Sequence, residues 1–269
     1  MLRLLMASFD PRRLPLMTRA SYVRELRVAM SMPMAMALLE GGVTSVLALK
    51  AFGADKWVAA VLNAAPMFGN LSSLGWAYIA RGRRKVPLIV AIQVVVLVMM
   101  VLIALLPRSG QDGWLLAAVV VVTRLMLSGI LTLRSTVWRA NYPRHMRGQI
   151  TGRLAQVTTL IVVATSMAAA FIWDASENAY RVIYPAAALL ASVGVVSFAR
   201  MRIRGERQLI AEERRLHRRP SRHGEGAGIY ENEPASSAGT FWSVLRDDPI
   251  YRQYLIWQFV IGVSNMMCL

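Results

Sequence analysis

Cysteine is nearly absent from this 269-residue chain: the single one, Cys268, excludes an internal disulfide framework and a cysteine-based zinc site. Histidine is as scarce. His145, His217 and His223 all fall in polar connecting segments, and there is no His-Glu-x-x-His, no Gly-x-Ser-x-Gly and no Gly-x-x-x-x-Gly-Lys. Metalloprotease, serine-hydrolase and P-loop chemistry therefore have no residues to rest on, and the chain is read as a non-enzyme with no catalytic residues, cofactor or metal. Acidic residues are few, 15 against 31 Lys and Arg, giving a formal charge of +16. The basic residues alternate with long apolar runs, which marks membrane flanks and no nucleic-acid interface. Alternating strand patterns are missing as well, and so is a cleavable signal peptide, because the first apolar run stops at Asp10, Pro11, Arg12 and Arg13.

What is abundant is apolar sequence: 56% of residues are hydrophobic and 17% charged, and the mean hydropathy is +0.44. A helix rising 1.5 Å per residue needs about 20 apolar residues to cross a hydrocarbon core of about 30 Å. Such runs lie near Val28–Lys50, Trp57–Ile79, Val86–Leu106, Trp114–Arg134, Leu154–Trp173, Val182–Ala199 and Ile250–Leu269, the last cut off by the chain end. The expected fold is an all-α, multi-pass membrane bundle of six transmembrane helices plus a truncated seventh. Its parts are an amino-terminal segment (1–27), the six-helix bundle (28–199), a basic linker (200–248) and the start of a second bundle (249–269).

Basic residues fix the orientation. Arg3 to Arg27, Arg81 to Lys85, Arg134 to Arg153 and the stretch from Arg200 to Arg246 fall on one side, and only Lys50, Lys56, Arg108 and Arg181 fall on the other. The positive-inside rule then makes the amino terminus cytoplasmic, in a cell (inner) membrane. The linker RMRIRGERQLIAEERRLHRRPSRHGEGAG is expected to extend the sixth span as a short charged helix before a Gly- and Ser-containing stretch, and TFWSVLRDDP reads as an amphipathic lead-in to span seven.

Two connections carry a family pattern. Gly75 to Ile89 reads GWAYIARGRRKVPLI, and Arg139 to Arg153 reads RANYPRHMRGQITGR, with Pro143, Arg147 and Gly148 in a Pro-x-x-x-Arg-Gly spacing. Together with Arg124 and Gly129 in span four and the long linker after span six, the chain resembles the amino-terminal half of the major facilitator superfamily plus the start of its seventh helix. The resemblance places Gly75, Gly82, Arg83, Arg84 and Lys85 in the loop after the second helix, where the cluster gates the inner side. The acidic residue of that loop is replaced here by Ile79 or Ala80. It also implies a secondary transporter of a small solute, coupled to a proton or another ion, whose carboxy-terminal bundle lies beyond this chain.

Glu40 and Arg124 read as the only acidic and basic residues well inside the spans, and an intramembrane charge marks a functional site or a partner. About ten residues separate Glu40 from Lys50 and Trp114 from Arg124, so each charge lies about 15 Å from the outer boundary. They are expected to pair near the midplane, as a substrate or proton-coupling site or as a lock between helices. Asn63 and Asn70, two helical turns apart, form a polar stripe that either lines the cavity or bonds helix to helix. Gln93, Gln156, Thr158 and Thr159 are weaker candidates, and the MSMPMAM run from Met30 to Met36 reads as apolar packing. The competing reading is a non-transport six-helix scaffold or regulatory subunit whose basic linker binds membrane lipid or a partner.

Overall fold

The computed structural model describes residues 11, 15–107, 112–218, 249, 252–253 and 256–257. The chain divides into two compact units, Met1–Arg218 and Arg219–Leu269. The seventh span, its lead-in and the distal linker fall almost wholly outside the described residues.

The regular structure of the first unit is helical throughout its described residues: α1 (Leu16–Leu38), α2 (Gly41–Ala51), α3 (Lys56–Ile79), α4 (Lys85–Leu105), α5 (Asp112–Asn141), α6 (Arg144–Ala175), a 3-10 turn (Glu177–Ala179), α7 (Tyr180–Ala199) and α8 (Glu206–Arg218). Helices α4, α5, α6 and α7 are long and apolar enough to cross a membrane, and α1 with α2 makes a fifth candidate if the bent pair is one span. The helix α3 has 24 residues, about 36 Å of rise, but Asn63, Asn70, Ser72 and Ser73 lower its hydropathy. These helices fit a multi-pass membrane bundle.

Two boundaries differ from the hydropathy reading. Helix formation begins at Leu16, well before the apolar run at Val28, so much of the expected amino-terminal segment is helical. The first span is also broken: α1 and α2 meet at Leu39–Glu40 with a bend of 43°.

The first span packs on α6 and α7, α5 packs on α3 and α4, and α4 packs on α7. Exchanging the first three spans (α1 with α2, α3, α4) for the next three (α5, α6, α7) leaves that set unchanged. The close α2–α3 contact is the exception, since its counterpart between α5 and α6 is slight. The main core runs through Val28, Leu38, Leu62, Ile89, Val96, Leu116, Leu133, Tyr184 and Phe198. A satellite cluster of Tyr22, Ala29, Tyr142, Ile150 and Leu154 sits between α1, α6 and the α5–α6 turn. Of the four single helices long and apolar enough to cross a membrane, α6 is the least covered, with only 6% of its apolar window buried.

Candidate functional site

A broken span orphans backbone groups that water cannot reach in a bilayer, so each break needs a local solution. Here the Tyr184 hydroxyl, buried on α7, donates to the Leu38 carbonyl at 2.8 Å. A tight turn follows, Leu39 N–H donating to Met36 O at 3.2 Å and Glu40 N–H to Ala37 O at 3.1 Å. Glu40 is the N-cap residue of α2; its carbonyl accepts from the Thr44 N–H at 2.9 Å and the Thr44 hydroxyl at 3.1 Å. Its carboxylate thus stands at the positive end of the α2 dipole. Gly41 lets α2 lie against α3, since a Cβ there would come within 3.1 Å of Asn63 Cα and the Leu62 carbonyl oxygen.

Arg124 Nη2 lies 2.8 Å from Glu40 Oε2. The two expected partners are brought together, across a gap: α1 and α5 do not pack closely, so the long side chains span it. Their surroundings differ. The Arg124 side chain is 11% exposed and that of Glu40 54%. Arg124 Nε and Nη2 are buried and make no directed hydrogen bond among the described residues, so the attraction between Nη2 and Glu40 is chiefly coulombic. Gly69 allows α3 to pass closely behind the arginine, because a Cβ there would meet the Arg124 carbonyl oxygen at 3.0 Å.

The asparagine stripe separates into two roles. Asn63 Oδ1 accepts from Ser45 Oγ at 3.0 Å and so ties α3 to α2, whereas Asn70 is exposed two turns further along. Gln93 is wholly buried in α4, and neither amide atom has a partner among the described residues. Gly129 gives room to the Trp76 ring, whose Nε1 donates to Leu125 O at 2.7 Å, which makes it a packing residue between α3 and α5.

Glu40 and Arg124 are not the only charges paired between α5 and the first helical stretch: a second, buried pair lies at and beyond the ends of the apolar runs. Glu25, 0% exposed on α1, accepts from Arg134 Nη2 on α5 in a short ion pair, and Arg134 stacks over Trp138 at 5.1 Å. Around this pair Tyr22 Oη, Tyr142 Oη, Glu25 Oε1, Arg134 Nε and Trp138 Nε1 are buried with no hydrogen-bond partner among the described residues. Burial, and then the Glu25 charge, raises the Tyr142 phenol well above its ordinary value, so it stays a protonated donor. The helical period carries the buried face of α1 back through Val28, Glu25, Tyr22 and Thr18, although the composition there is charged.

The α3–α4 turn is the third cluster. Gly82 takes φ 62°, which Gly adopts without the Cβ clash that other residues meet. Lys85, buried at the start of α4, donates to Ala80 O and, at 2.8 Å, to Glu213 Oε2 on α8. The same oxygen accepts from Gly82 N–H at 2.7 Å, and Arg214 returns a bond to Gly82 O at 3.1 Å. Arg84 lies 4.0 Å from Glu206, while Arg83 and Gly75 are exposed. The linker therefore does not prolong the sixth span as expected. It breaks over residues 200–205, where Gly205 takes φ 67°, and folds back so that its own glutamate meets the basic turn.

No group of His, Cys, Asp and Glu among the described residues is arranged to hold a metal ion. Comparison with protein-family models, curated proteins and solved structures finds no match for the chain.

Proposed function

We propose that this chain is the amino-terminal bundle of a secondary transporter of the major facilitator type, moving a small solute with a coupling proton or ion by alternating access. The observation that carries the reading is the Glu40–Arg124 pair at the break in the first span. Discontinuous helices, whose half-helix ends face substrate and ions near the bilayer midplane, are a recurring way of building transporter sites. Glu40, with its half-exposed side chain, offers a carboxylate to a cation or a proton, and Arg124 offers its guanidinium to an anion that displaces Glu40. The packing pattern adds support: alternating spans make the exchange of the first three for the next three an inverted repeat, as in each half of that transporter class.

The amino terminus and α8 belong on the cytoplasmic side of the cell membrane in this reading, because the basic residues gather there. Gly110→Cys should label only from outside and Arg83→Cys only from inside; the reverse pattern overturns the orientation. Transport is tested in proteoliposomes that hold this chain together with a second bundle, with an imposed pH gradient and a panel of small organic cations, anions and zwitterions. Saturable flux that Glu40→Gln abolishes is the expected result. Flux indifferent to both Glu40→Gln and Arg124→Gln removes the site assignment. A folded, correctly inserted complex that moves none of the panel favours the second reading, a scaffold or regulatory module, which the clamp of α8 on its own bundle also suits.

A further inference from the structure

Between the first turns of α1 and the segment that follows α7 lies a cavity of about 770 Å³, lined by Arg24, Arg200, Arg202 and Arg204 with Met17 and Ala20 beside them. None of its lining residues belongs to the Glu40 site, and a neighbouring pocket that shares Ala199, Met201 and Arg202 with it reaches Arg84 and Glu206 beside the α8 clamp. Four arginines line it and no acidic side chain does, so its field is of one sign. The carboxylates closest in sequence to these arginines are engaged elsewhere: Glu25 holds Arg134, and Glu206 faces Arg84.

The backbone carrying these arginines is fixed. Asn141, buried at the end of α5, donates through Nδ2 to Arg202 O at 3.2 Å and accepts from Arg204 N–H at 3.1 Å through Oδ1. One side chain thus pins both ends of a three-residue stretch, and Arg204 is further held at its head by Met17 Sδ at 3.3 Å. A loop that only marked topology would need charge alone, with no such anchoring. Beside the guanidinium groups the lining turns apolar, and the adjoining Leu16 and Met17 are 78% and 71% exposed. Cationic heads next to uncovered apolar surface, at the end of a membrane helix, match a molecule with a phosphate head and hydrocarbon tails.

We infer that this cavity is a binding site for the phosphodiester headgroup of an anionic glycerophospholipid. Arg24, Arg200, Arg202 and Arg204 ligate the phosphate, and the acyl chains run along Leu16, Met17 and Ala20. A lipid bound there would tie the start of the first span to the end of the sixth, which pack together along their length. The inference rests on the chain being membrane-embedded and is independent of whether it transports.

The test uses the full chain in detergent, with phosphatidylglycerol, phosphatidylcholine and soluble glycerol phosphate as probes, read by native mass spectrometry. Phosphatidylglycerol should bind with defined stoichiometry. The triple variant Arg200→Gln, Arg202→Gln, Arg204→Gln should lower its affinity roughly 100-fold, about fivefold for each arginine removed at a membrane surface. A charge-matched control, Arg139→Gln, Arg144→Gln, Arg215→Gln, should change it less than about twofold, and Arg24→Gln alone should cost about fivefold. Equal losses in the triple variant and the control overturn the site, because the lipid is then held by overall charge. Glycerol phosphate binding as tightly as the lipid overturns the lipid assignment in favour of a free phosphate ligand. Phosphatidylcholine binding as tightly as phosphatidylglycerol overturns the role of the arginines. Should the triple variant lose its helical circular dichroism, Arg24→Gln decides by the same readings.

Discussion

Two ion pairs join the first span to α5, and they sit in opposite environments. Glu25 is fully buried against Arg134 beneath Tyr22, Tyr142 and Trp138, whereas Glu40 is half exposed at a helix break with Arg124 mostly buried behind it. A carboxylate sealed from every side is held to one partner, and its use is to fix helix against helix. A carboxylate with one face open can exchange its partner for a proton or a solute, and a nearby helix break leaves the backbone free to follow. Position along the helix does not separate the two; access does.

The comparison predicts its largest effect at the sealed pair. Removing one member leaves the other charge buried and alone, a cost of about 3 to 5 kcal/mol. Glu25→Gln and Arg134→Gln should each lower the thermal midpoint strongly in detergent, and the double variant should regain most of the loss. Additive losses would show that the two side chains do not stabilise each other.

At the open pair the effects should be smaller and unequal, a revision of what two equally desolvated charges would show. Glu40→Gln strands the mostly buried Arg124 and should cost roughly 1 to 3 kcal/mol. Arg124→Gln leaves a half-exposed carboxylate and should cost under about 1 kcal/mol. Thermal midpoints of the two single variants check the order. Equal costs of the size seen at Glu25 would mean that Glu40 is sealed in the membrane-embedded protein.

The α8 clamp offers an internal control, being charged and partly exposed but away from both pairs. Gly82→Ala meets the positive φ and a Cβ contact of 3.1 Å with Arg214 Cγ, at a cost of about 1 to 2 kcal/mol. Glu213→Gln should release α8 and raise proteolysis within Glu206–Arg218, with the membrane helices unaffected. Unchanged cleavage would mean that the Glu213 contacts do not hold the helix.

Part of this was legible in the sequence. Matching residue counts to the outer boundary brought Glu40 and Arg124 together, because helix rise is constant and a bilayer fixes the ends. The same hydropathy window hid Glu25, which lies in the charged RELR run outside the apolar stretch; the spacing of Tyr22, Glu25, Val28 and Met32 on one helical face was the signal available. Lys85 and Glu213 are 128 residues apart, and no local pattern links them. The basic α3–α4 turn was visible, but that Glu213 of the linker meets it needed the fold.

The most direct test compares function across the two pairs in one preparation. Solute flux is measured in proteoliposomes holding the chain with the second bundle proposed for it, for the double variant Glu40→Gln, Arg124→Gln and for Glu25→Gln, Arg134→Gln, each normalised to folded protein. The open-site double variant should retain its fold and lose flux, and the sealed-pair double variant should retain both. Flux that survives the loss of Glu40 and Arg124 but vanishes with Glu25 and Arg134 would contradict the assignment and move the working site to the buried pair.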